Sequence, residues 1–357
     1  MKLTINNPAF EISGRHRMPA NKRSWQQLEA TVEFLKRATS YPDATRVVET
    51  VETHMSWVFL TRRHAYKLKK PVKLSFLDYS TLSSRRRCIE TEFSINQRLA
   101  PGVYLDVLPL QRDANGTLNL QGEGMVVEWL LKMKRLPSTA MLHKVVCHSD
   151  YTPGQLLPAA RKLARFYREA ERVRLTGDAY LHHLAARVEE NRKVLTDPSY
   201  RLARRQAERI HQIQNSFLQQ QAALVAARAT QGKIIDGHGD LRPEHVCLTR
   251  PPVIIDRLEI DSLCRAADPL DELALLAMEL ELLGQADAGD VFIGIYHKTS
   301  KDPCPPPLLA FYKSLRACTR ARYAAWHLDD PRVSNTAVWR HKARAYLDLA
   351  CRVLPTS

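Results

Sequence analysis

The stretch that most restricts this chain runs from His238-Gly-Asp-Leu-Arg-Pro-Glu-His-Val-Cys-Leu248 into Val253-Ile-Ile-Asp-Arg-Leu-Glu-Ile-Asp261. It places two acidic residues, Asp240 and Asp256, a short hairpin apart. Asp240 stands in a polar loop. Asp256 closes the apolar run Val253-Ile254-Ile255, which reads as a short buried strand. Such a strand aims the second carboxylate back at the loop. One carboxylate that orients a hydroxyl and one that holds Mg²⁺ on nucleotide phosphates is the pairing that phosphoryl transfer needs. Taken singly the signals are ordinary: a Gly-Asp turn in a surface loop, and a strand-ending Asp that caps a turn. His238, two residues before Asp240, suits a role in holding the loop by packing and hydrogen bonding.

Length and charge set wide bounds. The chain has 357 residues, 45% of them hydrophobic, enough for a large core in two or three lobes. No apolar run approaches the ~18 residues of a membrane span, and Met1-Lys-Leu-Thr-Ile-Asn-Asn7 lacks the apolar core of a secretory signal. Seven scattered cysteines without a CxxC pair point to reduced thiols and a cytoplasmic setting, and against structural zinc. A net charge of +15 admits an anionic partner such as nucleic acid or a phosphorylated ligand, or simply solvated basic helices such as Arg201–Arg205.

The patterning changes along the chain. Residues 1–25 read as a loose basic arm and 26–38 as a helix stopped at Tyr41-Pro42. Strand-type segments follow at 46–51, 57–60 and 65–69, a charged helix at 83–99, and strands at 104–110 and 124–129. Beyond Pro137 the pattern is helical at 154–173, 178–195 and 199–229. After the β-like stretch 233–261 it is helical again at 268–285, 287–300, 308–328 and 333–353. The run Pro303-Cys-Pro-Pro-Pro307 separates two of these helices. The expected fold is therefore α+β and two-lobed, with a β-rich lobe at 26–130 and a larger helical lobe at 131–357.

HGDLRPEHV followed by VIIDRLEI resembles the aminoglycoside phosphotransferase-like superfamily, whose usual pattern is HGDLHxxN and then an apolar strand ending in Asp. Asp268-Pro-Leu-Asp-Glu-Leu-Ala274 is similar to the Asp-Pro-x-x-Asp-Leu-Ala segment of that pattern. In the first half, Glu52-Thr-His-Met-Ser-Trp-Val-Phe-Leu-Thr61, Ala65-Tyr-Lys-Leu-Lys-Lys-Pro-Val72 and Phe76-Leu-Asp-Tyr-Ser-Thr-Leu82 resemble an uncharacterised bacterial branch. In that branch the kinase-like domain is sometimes fused to a P-loop domain. No GxxxxGKS or GxxxxGKT occurs here, so the kinase-like part alone is expected.

The resemblance implies a protein-kinase-like fold and an ATP- and Mg²⁺-dependent transfer to a hydroxyl of a small molecule. It assigns Asp240 as the base or orienting group. It also implies a lysine on the third strand and a glutamate on the next helix. Lys67 is the first choice, with Ala65 on the same strand face beneath the adenine, and Lys69 the second; a solvated strand edge is the plain reading of both. Glu92 is the expected ion-pair partner, with Glu90 on another helix face. No glycine-rich phosphate loop is present. Thr53 and Ser56 either contact phosphate or close a plain hairpin. Val126–Leu131 reads as the last strand entering the linker between lobes, so that backbone near Val127, Glu128 and Trp129 meets adenine.

One residue departs from the pattern. His245 stands where the superfamily has an Asn whose carbonyl binds Mg²⁺. An imidazole favours softer metals than Mg²⁺, which brings Mn²⁺ into consideration. Either His245 joins Asp256 as metal ligand, or Glu244 or Glu259 takes the second place, or the site is a pseudokinase-like binder without catalysis. Arg242 replaces the usual His and favours an acidic or phosphorylated acceptor, unless it pairs with Asp236 or Glu244. Phosphorylation of a protein or RNA is a further reading that the charge permits. The acceptor itself is not encoded legibly: a pocket for a cationic drug would be acidic, and this chain is basic.

Overall fold

The structure, a computed structural model, describes residues 22–53, 55–74, 77–148, 150–329, 333 and 335–354. The arm expected at 1–25 lies outside the described residues up to 21, and its last residues are helical, because helix α1 runs Lys22–Leu35. Its Leu28, Val32 and Leu35 recur at helical spacing and are buried.

The chain divides into two compact units. The β-rich unit takes in residues 22–138 and also Val253–Ile260. That eight-residue insert was expected in the helical lobe. The helical unit comprises Thr139–Pro252 and residues 261–354.

The β-rich unit is built on a six-stranded antiparallel sheet. Its strands are β1 (Glu49–Glu52), β2 (Ser56–Leu60), β3 (His64–Lys69), β6 (Tyr104–Arg112), β7 (Leu118–Asn119) and β8 (Met125–Lys134), in the order β1-β2-β3-β8-β6-β7. A separate small hairpin pairs β4 (Lys73–Leu74) with β5 (Leu77–Asp78). Side chains alternate along β3. Tyr66 and Leu68 pack with Leu28, Val32 and Leu35 of α1 and with Phe59, Leu110 and Leu130 of the sheet. Lys67 and Lys69 point the other way, where both ion-pair with helix α2 (Leu82–Asn96). Helix α2 starts at a capping box in which Thr81 and Ser84 exchange hydrogen bonds.

Strand β8 is longer than expected. It continues through Leu131 to Lys134, with Met133 opposite Ala65 and Lys134 opposite His64. Val127–Trp129 therefore lie mid-strand, not where the chain leaves the sheet.

The helical unit contains α3 (Leu142–Val145), α4 (Leu157–Glu169), α5 (Gly177–Leu195), α6 (Arg204–Gln220), α7 (Ala222–Thr230), α8 (Pro269–Leu282), α9 (Ala286–Ser300), α10 (Pro306–Trp326) and α11 (Thr336–Arg352). The single helix expected at 199–229 is broken at Gln221, whose backbone leaves helical geometry. Helix α8 is buried on every side from Pro269 to Met278, as befits the central helix of a core. Leu275 and Met278 meet Ala317, Cys318 and Ala321 of α10 and Tyr346, Leu347 and Ala350 of α11. No described helix is long and apolar enough to cross a membrane.

Two acids at the start of α8 tie the unit together. Asp268 caps the helix and takes two bonds from Arg228, 2.6 and 2.8 Å, while Arg228 also grips Asp302 at 2.7 Å. Asp271 lies between Arg187 (2.8 Å) and Arg316 (2.7 Å). Burial pushes the Asp271 carboxyl up, but the two guanidinium groups win and hold it at about 2, below its ordinary 3.8. A depressed carboxyl stabilises the fold above the unfolded-state value and loses that contribution as the pH falls through the folded value. Asp271→Asn is thus expected to be less stable than wild type in urea unfolding at neutral pH. The gap should close between pH 3.8 and about 2. A gap that does not change with pH contradicts this assignment.

Candidate active site

In the β-rich unit, β3, α2 and the insert 253–260 assemble a chain of linked charges. Lys67 Nζ is 2.7 Å from Glu92 Oε1 and 2.6 Å from Asp256 Oδ1. Lys69 Nζ is 2.7 Å from Glu92 Oε2 and 2.6 Å from Glu259 Oε1. Glu92 is fully buried, and Tyr79 donates to Glu259 at 2.8 Å. Burial works to neutralise both lysines, but Asp256 and Glu92 around Lys67, and Glu259 and Glu92 around Lys69, hold them above the ordinary lysine value. The two candidate lysines are thus neither alternatives nor a solvated edge: one glutamate serves both. Glu90 instead pairs with Arg86 on the exposed face of α2.

Asp256 adopts a left-handed backbone, φ +63°, a strained region for a non-glycine residue. Its neighbours fix it there. Its N–H donates to the Tyr104 hydroxyl at 2.9 Å, and Arg257 N–H donates to Asn96 Oδ1 at 2.9 Å. Asn96 lies one turn beyond Glu92 and also donates to the Glu92 carbonyl. The insert is therefore pinned by the same helix that supplies the glutamate.

The β1–β2 turn explains the missing glycines. Thr53 N–H donates to Ser56 O at 2.8 Å, and Thr53 Oγ1 accepts from Ser56 N–H at 3.0 Å. Lys70 Nζ holds the Thr53 carbonyl at 2.6 Å. A hydroxyl closes this hairpin, so the Thr53 side chain is spent on the turn. Ser56 Oγ is buried with no hydrogen-bond partner.

Val127, Glu128 and Trp129, expected to meet adenine, have partners within the β-rich unit. Gln27 of α1 donates to the Val127 carbonyl at 3.0 Å. The Glu128 carboxylate is held by Arg85 at 2.7 Å and by the Trp129 N–H at 3.0 Å. The Trp129 ring lies 4.4 Å below the Arg86 guanidinium. Ala65 is buried on the face of Lys67, opposite Met133. The longer strand shows only in the register of Leu131 and Met133 with Lys67 and Ala65 of β3.

In the helical unit, Asp240 sits in the loop that leaves the short pair Ile235–Asp236 and Ala266–Ala267. Asp236 is taken by Arg265 at 2.6 Å, so it is not the partner of Arg242. The loop is held from below by Glu272 of α8, which lies within the Asp268–Ala274 motif. Gly239, at φ +89°, donates its N–H to Glu272 Oε1 at 2.5 Å. A Cβ on Gly237 would stand 2.6 Å from the same carboxylate, so a side chain there would displace it. Burial pushes Glu272 up, and the backbone N–H groups of Gly239 and His238 pull the other way. His238 is fully buried, and Asp240 N–H points to its Nδ1 at 3.4 Å.

Asp240 is half-buried. Arg242 Nε donates to its Oδ2 at 3.0 Å, while Glu244 lies 3.9 Å from the same guanidinium. Burial pushes the Asp240 carboxyl up, yet the adjacent Arg242 holds it down at about 2. His245 Nδ1 is 2.7 Å from the Asp240 carbonyl oxygen, and its Nε2 is 3.1 Å from Arg242 Nη2. Among the described residues no group of three or more His, Cys, Asp or Glu gathers to hold a metal. Mg²⁺ needs only one or two carboxylates when phosphates complete its shell, so Asp256 suits it as a hard oxygen donor. His245 does not fit equally well, since both ring nitrogens already have partners.

The chain matches no family model. It is 33% identical over 278 residues to uncharacterized proteins of Mycobacterium bovis and Mycobacterium tuberculosis, a match covering 77% of this chain and 54% of theirs. It thus spans about half the length of the curated relatives it matches. Among solved structures it is similar to an ethanolamine kinase of Plasmodium vivax, with TM-score 0.50, 8% identity, and 94% and 96% of the two chains covered. It is also similar to a choline/ethanolamine kinase family protein from Mesorhizobium loti (TM-score 0.48, 14% identity, 92% and 95% covered). A third is an aminoglycoside phosphotransferase from Streptomyces rimosus (0.45, 17%, 82% and 98%). A β-sheet unit, a unit of helices and the likeness to the ethanolamine kinase give this chain a protein-kinase-like fold.

Proposed function

We propose that this chain is an ATP- and divalent-metal-dependent phosphotransferase that acts on a hydroxyl of a small molecule. The observation that carries the reading is Lys67, a third-strand lysine joined at once to a helix glutamate and to Asp256. Lysine, glutamate and metal-binding aspartate are the parts that position nucleotide phosphates in kinases. The fold shared with a protein named an ethanolamine kinase supports a small-molecule acceptor.

Each residue then has a physical task. Lys67 stays charged and offers its ammonium to phosphate oxygens, released in part from Asp256. Glu92, locked by Lys69 on its other oxygen, keeps Lys67 in place. When bound through Asp256, a divalent cation would neutralise the charge on the phosphates. Asp240 accepts a hydrogen bond from the acceptor hydroxyl. A carboxyl held at about 2 is a weak base at neutral pH, so its task is to orient the hydroxyl more than to remove its proton early. Catalysis rests on placement and charge. The base of the nucleotide, in this reading, lies against Ala65 and the segment Met133–Ser138 where the chain leaves β8, not against Val127–Trp129.

A second reading, nucleotide binding without turnover, is favoured by one observation: Arg242 occupies an oxygen of Asp240. Thermal shift and ATP turnover separate the two. With Mg²⁺ or Mn²⁺, ATP is expected to raise the melting temperature of wild type and of Asp240→Asn alike. Turnover in Asp240→Asn should fall by about 100-fold or more, as for loss of a group that positions a reactant. No shift with any metal contradicts the phosphotransferase reading, and a shift with no wild-type turnover favours the second. For the base segment, Ala65→Leu is expected to weaken nucleotide binding by about tenfold or more, or ~1.4 kcal/mol. Trp129→Ala should change it little. The reverse order returns the base to Val127–Trp129.

A further inference from the structure

Each ring nitrogen of His245 has a hydrogen-bond partner with a single sense. The Asp240 carbonyl oxygen, 2.7 Å from Nδ1, can only accept, so Nδ1 carries the ring proton. The Arg242 guanidinium, 3.1 Å from Nε2, can only donate, so Nε2 holds the lone pair and receives it. A neutral imidazole has one lone pair suited to a metal, and here it is spent on Arg242. The ring has little room to turn: it is 6% exposed and stacks on His238 with centroids 5.9 Å apart.

The arginine is fixed just as firmly. Its Nε donates to Asp240 Oδ2 at 3.0 Å while Nη2 holds His245, so the planar fork bridges the carboxylate and the imidazole. Other charges that face it include Arg320, Glu279, Glu244 and Lys342. Arg320 and Glu279 are bonded to each other at 2.9 Å, and Glu244 stands 3.9 Å away. Arg242 is thus committed to Asp240 and His245.

We infer that His245 is not a metal ligand but the anchor of Arg242, and that the Arg242 guanidinium supplies at Asp240 the positive charge that an Asn-held cation would supply. Arg242 is then a positioning residue: it acts on the acceptor hydroxyl through Asp240. A fixed guanidinium needs no coordination sphere and leaves Asp256 as the protein's metal ligand. This inference rests on the phosphotransferase reading, and it predicts a site that holds its divalent cation without nitrogen.

Two spectroscopic readouts test it on the full chain. In metal-free protein labelled with ¹⁵N-histidine, the His245 signals, identified by their loss in His245→Gln, are expected to show the Nδ1–H tautomer. Arg242→Met should weaken that preference. An Nε2–H tautomer in wild type overturns the inference. In protein loaded with Mn²⁺ and ADP, pulsed electron paramagnetic resonance is expected to show no ¹⁴N coupling that His245→Gln removes. Such a coupling overturns the inference and leaves the phosphotransferase reading intact. If the manganese signal is only that of free Mn²⁺–ADP, the phosphotransferase reading fails and this inference with it. Arg242→Lys keeps the charge but loses the fork. It should lower ATP turnover by about tenfold or more while the KM for ATP changes less than about twofold. Unchanged turnover overturns the positioning role.

Discussion

Glu92 has no exposure to water and two lysines to satisfy it, and the β-rich unit is arranged around that fact. A buried carboxylate without a partner is prohibitively costly, and removal of one member of a buried pair costs about 3–5 kcal/mol. Lys67 and Lys69 supply the compensation from alternate positions of one strand face. Each then has capacity left for a second acid, and the insert Val253–Ile260 provides both, Asp256 and Glu259. Charge balance thus explains why this insert clusters with a sheet far from it in sequence. It also explains how Asp256 is kept in a left-handed conformation: the ion pair holds its side chain, while Tyr104 and Asn96 hold the backbone on either side.

The helical unit solves a different problem with the same chemistry. Its loop must present Asp240 on an unusual backbone path, and α8 supplies the fixed point. Asp268, Asp271 and Glu272 divide the labour: the first two take arginines from neighbouring helices, and the third takes backbone N–H groups of the loop. Gly237 leaves room for the Glu272 carboxylate, and Gly239 takes a positive φ.

Residue types with a chemical obligation were legible in the sequence. Lys67, Glu92, Asp240 and Asp256 stand in motif positions, and the structure joins the first two with Asp256 and brings Asp240 together with His238 and His245. What was not legible depended on partners remote in sequence. Nothing local reveals that Gln27 claims the Val127 carbonyl, or that Arg85 claims Glu128. The end of β8 was misplaced because Leu130–Met133 suits a strand or a linker equally, and only the register with β3 decides. Lys69 and Lys67 looked like alternatives because a sequence shows one glutamate, not its two oxygens. Helix α1 began earlier than expected because Lys22 and Arg23 resemble a solvated arm, and the break at Gln221 had no proline or glycine to mark it.

The central claim is that Lys67 and Glu92 act as one unit in binding phosphate. A double-mutant cycle on the affinity for a fluorescent ADP analogue with Mg²⁺, using Lys67→Met, Glu92→Gln and the double variant, tests it most directly. The account predicts strong coupling, about 1 kcal/mol or more, with the double variant binding no worse than Lys67→Met alone. Independent, additive losses would contradict it.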